Sequence, residues 1–445
     1  MSKTSNQVLK LSQNLKFLEV NEKLSICYNK NAFKPVLLPN TVRENYLNGL
    51  REINNPDENI VKMFTNNYIG YFDKELTKEE IYYKLKEDYD KNGSTLNVRF
   101  IPSYNCDKNC SYCLIQNIRA KMKETFDLSY LDNLKNLVNI YKEKNKNLDK
   151  VSVTIIGGEP TLEKNFEITK KFVSEINKYF DKKEHILVTN GFGVNETLLK
   201  EFKDMGGKSV YLSYDLRGNV IDESEPESKS NFEKFKSLCL LVVNNRVSLT
   251  VDFKCNKDTK INEEVKSFLD NLISLDSSIN IVASKIVSQK EYDVLESPQC
   301  QRYELVDLKE EEILPIYYDF IELYPFNFSY PRQFEIMIYR CSTVSMKSFV
   351  VFPNGKVSLC GKLYSSNPDN IPYIYDFKTN EFNFELTKSF CKTVLDDEEC
   401  KDCEYSLICG GKCPFKKEKC DKEKINVELL LEIYKNNIRR QLNKK

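Results

Sequence analysis

The sequence has a single histidine, no excess of charge of either sign and no long hydrophobic run. Lys plus Arg and Asp plus Glu both number 66. This balance argues against a dominant nucleic-acid-binding surface. No stretch resembles a membrane span, and the start Met-Ser-Lys-Thr-Ser-Asn has no basic-then-apolar signal segment, so we expect a cytoplasmic protein without membrane partners. The lone His185 nearly excludes a histidine-based acid–base mechanism.

Cysteine is the residue type that the chain has in abundance. There are 15 cysteines in 445 residues, most of them from Cys300 onward. Without a secretion signal, such a content indicates metal or redox chemistry and not a disulfide scaffold. Cys27, Cys239 and Cys255 lie within apolar patterns, and we predict that they are buried core residues.

Between residues 96 and 290, strand-like and helix-like runs alternate. The predicted strands are Leu96–Pro102, Val151–Ile156, His185–Asn190, Ser209–Asp215, Val247–Lys254 and Ile279–Ile286. Six strand–helix units predict parallel strands joined by helical crossovers. We therefore predict an α/β fold, a partial (β/α)6 TIM-like barrel with its active site at the carboxyl ends of the strands.

The most informative motif directly follows the first predicted strand. Cys106, Cys110 and Cys113 form a C-x3-C-x2-C loop, which can hold three irons of a [4Fe–4S] cluster and leave the fourth open to a small molecule. The alternatives are a zinc site, for which paired CxxC motifs are more typical, and a redox disulfide.

With Tyr112 in that loop and Gly157-Gly158-Glu159-Pro160 after the second strand, the chain resembles the radical S-adenosylmethionine (SAM) superfamily. The resemblance implies that SAM chelates the open iron and yields a 5′-deoxyadenosyl radical. It also implies that the two glycines let the backbone come close to the bound methionine group, and that SAM is contacted by Tyr112, Gly157, Gly158, Glu159, Pro160, Thr189, Asn190, Ser213 and Asp215. The family usually has glycine directly after this aspartate, whereas Leu216-Arg217-Gly218 follows here.

A second cysteine array occupies residues 341–420. Its order resembles the SPASM domain, which holds two auxiliary [4Fe–4S] clusters. The resemblance implies one cluster on Cys400, Cys403, Cys409 and Cys420, and three ligands of another on Cys341, Cys360 and Cys413. The fourth ligand of the latter stays open between Cys391, Cys300 and a substrate thiolate. Structural zinc is the alternative for the whole array.

Three domains follow from this organisation. We predict a small α+β module at 1–95, the radical SAM partial barrel at 96–335, and a cysteine-rich SPASM domain with a C-terminal helix at 336–445. The first module either binds the leader of a precursor peptide, by adding a strand to a sheet edge, or is a packing cap on the barrel.

The resemblance implies an oxidoreductase that modifies ribosomally made peptides, by thioether or carbon–carbon crosslinks. Its partners would be a precursor peptide and an electron donor such as flavodoxin or ferredoxin. An anaerobic sulfatase-maturing enzyme, which forms formylglycine, is the second interpretation. A non-catalytic zinc- or cluster-stabilised binding module is the third. Asp215 and Asp252 are the candidate catalytic carboxylates, and a solvated or structural role is the alternative for both.

Overall fold

The computed structural model describes residues 8–92, 94–108, 110, 123–215, 226–255, 259–285, 310–324, 326–329, 345–359, 372–390, 393–403, 406–409, 434–435 and 438. The chain divides into two compact units. One contains Met1–Asn92, Arg332–Cys341 and Lys392–Lys445, and the other contains Gly93–Pro331 and Ser342–Cys391. In the described part, no helix combines the length and the apolar character that crossing a membrane requires.

The first unit begins with two antiparallel three-stranded sheets and three helices. The strands are β1 (Val8–Leu11), β2 (Leu15–Glu19), β3 (Leu24–Asn29), β4 (Val36–Pro39), β5 (Glu52–Asn54) and β6 (Gly70–Tyr71), and the helices are α1 (Asn40–Leu47), α2 (Glu58–Asn66) and α3 (Lys78–Asn92). The sheet orders are β5-β1-β6 and β2-β3-β4. Leu9, Cys27 and Phe64 belong to the shared core. This is the predicted mixture of strands and helices.

Helix α3 was not among the predicted elements, since most of its residues are charged or polar. A capping box nevertheless defines its start: Glu80 N donates to Thr77 Oγ1 (3.2 Å), and Thr77 N donates to the Glu80 carboxylate (2.7 Å). Lys78 therefore lies in the first turn of the helix.

The second unit is built on six parallel strands that lie in sequence order in one sheet. They are β7 (Thr95–Phe100), β8 (Lys150–Ile155), β10 (His185–Thr189), β11 (Gly207–Asp215), β12 (Ser248–Cys255) and β13 (Asn280–Lys285), with the short β9 (Lys182–Lys183) beside β8. Helices α4 (Leu134–Lys144), α5 (Glu163–Asn177), α6 (Glu196–Asp204), α7 (Pro226–Asn244) and α8 (Glu263–Leu275) connect them, and α9 (Glu310–Leu323) follows β13. The predicted strands and α/β class are confirmed, whereas the closure into a partial barrel stays a prediction.

The two faces of this sheet differ sharply in polarity. One face carries large apolar side chains that pack on helices: Phe100 stacks on Phe172 of α5 with ring centroids 3.9 Å apart, and Phe253 packs on Phe320 of α9 at 5.7 Å. The opposite face carries polar side chains in register, because successive residues of a strand point to opposite sides. Ser213, for example, is paired with Asp252 on the neighbouring strand.

Four strands from the cysteine-rich region extend the same sheet. β14 (Ser348–Val351) pairs in parallel with β7, and β15 (Lys356–Ser358), β16 (Tyr375–Asp376) and β17 (Glu381–Phe382) follow as an antiparallel ribbon before α10 (Phe384–Phe390). This pairing places residues 342–391 in the second unit, so the compact units do not follow the predicted boundary at 335/336. The rest of the described C-terminal region is a 3-10 helix (Val394–Asp396), α11 (Glu398–Lys401) and α12 (Ser406–Cys409), in the first unit.

His185 is a buried anchor at the start of β10. Its Nδ1 accepts a hydrogen bond from Val153 N (3.2 Å), and its Nε2 lies 3.1 Å from Asn177 Oδ1. Burial lowers the pKa of His185 to about 4. The imidazole is thus neutral and structural at pH 7, as the prediction against histidine catalysis requires.

This histidine predicts a specific loss of stability in acid. In the unfolded chain the imidazole regains a pKa of about 6.5, so below that pH the unfolded state binds the proton that the folded state excludes. The resulting loss begins as the pH falls through 6.5, continues to about 4 and amounts to about 3 kcal/mol. Chemical denaturation of wild type and His185→Gln at pH 7 and pH 4.5 measures it. We expect a weaker pH dependence in the variant, and equal pH dependence would contradict the assignment.

Candidate active site

The cysteine loop follows β7 directly. Cys106 and Cys110 belong to the described residues, whereas Tyr112 and Cys113 lie outside them. Lys108 N donates to Cys106 Sγ at 3.5 Å, so the loop begins to wrap around the first thiol. Among the described residues no group of three or more His, Cys, Asp or Glu side chains converges on one point, and the third cysteine of this loop is not among those residues.

The predicted SAM-binding glycines pack directly on the start of this loop. Gly158 N donates to Ser103 O (3.0 Å) and Glu159 N donates to Asn105 O (2.7 Å). A Cβ on Gly158 would lie 1.9 Å from Asn105 O, and Gly157 has a φ of +137°. Both positions therefore require glycine. The two glycines bring the end of β8 against the residue that precedes Cys106.

Glu159 is a buried carboxylate whose hydrogen-bond partners among the described residues are all neutral donors. Its Oε1 accepts from Thr161 N (3.0 Å), Thr161 Oγ1 (2.5 Å) and Thr189 Oγ1 (2.5 Å), and its Oε2 accepts from Asn190 N (2.9 Å). Four donors match the acceptor capacity of a carboxylate. The side chains of Glu159 and Thr189 are thus hydrogen bonded to each other, and a SAM contact through the backbone of Gly157–Pro160 would leave this network intact.

Asn190 links the end of β10 to the cysteine loop. Its Nδ2 donates to Asp107 Oδ1 at 3.0 Å, and its Oδ1 accepts from Phe192 N at 2.9 Å. Asp107 was not predicted as a site residue, although it directly follows the first cysteine of the loop in the sequence. Such a link joins residues 83 positions apart, and no local pattern indicates it.

A second polar cluster lies on the polar face of β11 and β12. Ser213 Oγ donates to Asp252 Oδ2 at 3.4 Å, and Lys254 forms an ion pair with the same oxygen. Asp252 Oδ1 is buried and has no hydrogen-bond partner among the described residues. Asp215 lies on the same face, since it is the register partner of Lys254. The structure thus brings together two predicted site residues, Ser213 and Asp252, and adds Lys254.

Only part of the C-terminal cysteine array belongs to the described residues. Cys400 is buried in α11, Cys403 is partly exposed in the following turn, and the backbone of Cys409 ends α12. The turn is closed by a hydrogen bond from Cys403 N to Cys400 O (3.2 Å). The remaining cysteines of the array and the open ligand question lie outside the described residues: Cys300, Cys341, Cys360, Cys391, Cys413 and Cys420.

Three further cysteines are core residues, as predicted. Cys27, Cys239 and Cys255 are each fully buried. Burial raises the pKa of Cys27 and of Cys255 to about 12, and it also raises the pKa of Cys239. All three are therefore protonated at neutral pH and unsuited to metal binding or nucleophilic attack.

The residues present fit an iron–sulfur cluster with bound SAM. Two cysteine thiols lie in a loop whose start packs against the cradle of Gly157 and Gly158, and Glu159 beside it accepts hydrogen bonds from Thr189 and Asn190. Residues 100–217 match the family model of the Radical SAM superfamily. These residues form a radical SAM domain. The chain is thus an enzyme, and its predicted use of SAM and a [4Fe–4S] cluster agrees with this superfamily.

The similarity to known proteins extends beyond residues 100–217 to most of the chain. A cysteine-type anaerobic sulfatase-maturating enzyme from Clostridium novyi (strain NT) is 23% identical over 364 residues, which cover 77% of this chain and 94% of the relative. Streptococcus suis SuiB bound to its precursor peptide SuiA aligns with a TM-score of 0.46 at 14% identity, covering 91% of this chain and 95% of SuiB. Native anSMEcpe with bound AdoMet aligns with a TM-score of 0.47 at 16% identity, covering 78% and 98% of the two chains.

The cradle of the radical SAM domain makes a prediction about Gly158. In Gly158→Ala the new methyl group overlaps Asn105 O, so the strand end and the cysteine loop must separate. We expect a lower melting temperature and loss of the iron of the Cys106 loop after anaerobic reconstitution. Gly49→Ala is the control, because its Cβ meets nothing within 4 Å although the φ there is +86°. Wild-type iron content in Gly158→Ala would refute the role of the cradle.

Proposed function

We propose that this enzyme is a peptide maturase that oxidatively crosslinks a ribosomally made precursor peptide. The similarity to a maturating enzyme along 94% of that relative supports a maturase, and the crosslinking reaction is the further step that we propose. The match leaves part of this chain uncovered, so the chain has sequence beyond what a sulfatase-maturating enzyme of that kind contains. A leader-binding module is one use for such additional sequence.

In this proposal Cys106, Cys110 and Cys113 hold the SAM-binding cluster, and Tyr112, Gly157, Gly158, Pro160, Asn190 and Ser213 shape the SAM pocket. The partial barrel presents its polar face to the substrate, and the C-terminal array forms the SPASM domain with two auxiliary clusters. When bound, SAM and its cluster would supply a radical that removes a hydrogen atom from the peptide, and the auxiliary clusters would supply a centre that accepts the electron left behind. The protein itself must accept the accompanying proton.

Asp252 is the side chain that we propose for this proton. Its carboxylate is held in place by Lys254 and Ser213 through one oxygen, and its other oxygen is buried and has no partner among the described residues. A buried acceptor without a donor is costly unless a ligand supplies the donor. A peptide thiol or amide that reached this oxygen would be oriented by it, and deprotonated there as the bond forms.

Product mass tests the proposed reaction. With precursor peptide, SAM and reductant under anaerobic conditions, we expect the peptide to lose two hydrogens per crosslink. Reaction with a hydrazide provides the comparison, because it labels the aldehyde of formylglycine and leaves a crosslink unlabelled. In Asp252→Asn we expect deoxyadenosine to form while crosslinked product falls at least tenfold. Deoxyadenosine without a peptide mass change in the wild type would refute the proposal.

Sulfatase maturation is the second candidate, and the name of the Clostridium novyi relative favours it. It would be established by hydrazide labelling of a sulfatase-derived peptide together with no mass change in a leader-bearing one. The non-catalytic binding module no longer competes, because the radical SAM domain makes the chain an enzyme.

We also propose that the N-terminal module binds the leader peptide at a sheet edge. In the described residues β2 and β4 each pair only with β3, so each presents an open edge to which an extended peptide can add. A photo-crosslinking residue at Lys16 in β2 or at Leu37 in β4 should label the leader, and unlabelled leader should compete. Glu22, exposed between β2 and β3, is the control position. No competed labelling at either edge would favour the packing-cap alternative.

A further inference from the structure

A lysine of the N-terminal module lies against the cysteine-bearing turn of the C-terminal array. Lys78 Nζ, in the first turn of α3, donates to Cys403 O at 2.5 Å and to Lys401 O at 3.0 Å. These carbonyls belong to the turn from Cys400 to Cys403 at the end of α11. All of these residues are in one compact unit, although more than 300 positions separate them in sequence.

Both Lys78 and the turn that it contacts are held in place by capped helices. The capping box of Thr77 and Glu80 defines the turn of α3 that carries Lys78. One turn further along, the buried Tyr82 is hydrogen bonded to the side chain of Thr393. On the other side, the Asp397 carboxylate caps α11 by accepting from Glu399 N (3.0 Å) and Cys400 N (3.3 Å). The Lys78 ammonium is thus directed at this turn by two capped helices.

The charge of Lys78 is only partly compensated in the described part of the chain. Its hydrogen-bond partners there are two carbonyl oxygens, and the nearby Asp402 carboxylate also attracts it electrostatically. A half-buried ammonium is stabilised by nearby negative charge. A cluster bound by thiolates is a negative group, and its negative charge grows by one on reduction. A cation next to the cluster therefore stabilises the reduced form more than the oxidised form.

We propose that Lys78 is a positioning residue for an iron–sulfur cluster held by Cys400 and Cys403, and that its ammonium raises the reduction potential of that cluster. The inference rests on the auxiliary clusters of the proposed function. It assigns to the N-terminal module a part in electron transfer that is independent of leader binding. The carbonyl contacts keep the two cysteines in one closed turn, and the charge favours acceptance of an electron.

Full-length enzyme, reconstituted anaerobically, tests the inference by iron analysis and redox titration followed by electron paramagnetic resonance. The signal of this cluster is the one that Cys400→Ala and Cys403→Ala abolish. In Lys78→Met we expect reduction of that cluster to become about tenfold less favourable, which corresponds to a potential lower by about 59 mV for one electron. Lys78→Arg keeps the charge, and Lys84→Met alters an exposed lysine of the same helix. Both should retain the wild-type potential.

Each result decides the question. An unchanged potential in a fully loaded Lys78→Met would overturn the electrostatic role. If Lys78→Met loses the cluster while Lys78→Arg keeps it, the turn requires the cation, as proposed. If both variants lose the cluster, charge is not the requirement and the proposal fails. Wild-type enzyme with the iron of the Cys106 loop alone would refute the auxiliary clusters and this inference together, without affecting the radical SAM domain.

Discussion

The carboxylate of Glu159 is the group on which the geometry of the candidate SAM site depends. It is buried, and the described part of the chain supplies it with four hydrogen bonds from neutral donors. Those donors come from the loop after β8 and from the end of β10, so one side chain fixes two neighbouring strand ends. Through Asn190 and Asp107 the same network reaches the cysteine loop after β7. If any of these loops adopted another conformation, the buried carboxylate would lose hydrogen bonds. This energetic penalty favours the observed arrangement of the loops over its alternatives.

The unequal faces of the parallel sheet explain where chemistry can occur. Helices cover the apolar face, and its aromatic side chains are stacked against them. The polar face carries Ser213, Asp252 and Lys254 in register on adjacent strands. A peptide substrate would have to approach this face. One carboxylate oxygen of Asp252 on this face is buried and has no hydrogen-bond partner in the described part of the chain. Such an atom destabilises a folded protein, so a functional explanation is reasonable.

The sequence predicted the local features well and the long-range contacts poorly. Alternating apolar residues placed all six parallel strands within a few residues of their observed bounds, because burial of one face imposes that pattern. Gly157 and Gly158 were expected to let the backbone come close to bound SAM, which stays a prediction, whereas the structure shows them packed against Ser103 O and Asn105 O. Asp107, Lys254 and Lys78 were not recognised, since each acts through a partner that the fold supplies. The pairing of β14 with β7 was equally hidden, because a short apolar run does not reveal its neighbour.

The N-terminal module and the Cys400–Cys403 turn belong to one compact unit, and this changes how the module should be understood. A simple cap could be removed without consequence for the C-terminal region. Here Lys78 of α3 donates hydrogen bonds to carbonyl oxygens of the Cys400–Cys403 turn, and Tyr82 of the same helix is hydrogen bonded to Thr393. Loss of residues 1–95 would therefore expose the carbonyls of that turn and remove a cation from beside two proposed cluster ligands. A truncated enzyme that failed to modify its peptide would not show by itself that leader binding was lost, so the two roles of the module have to be separated by point substitutions on different surfaces.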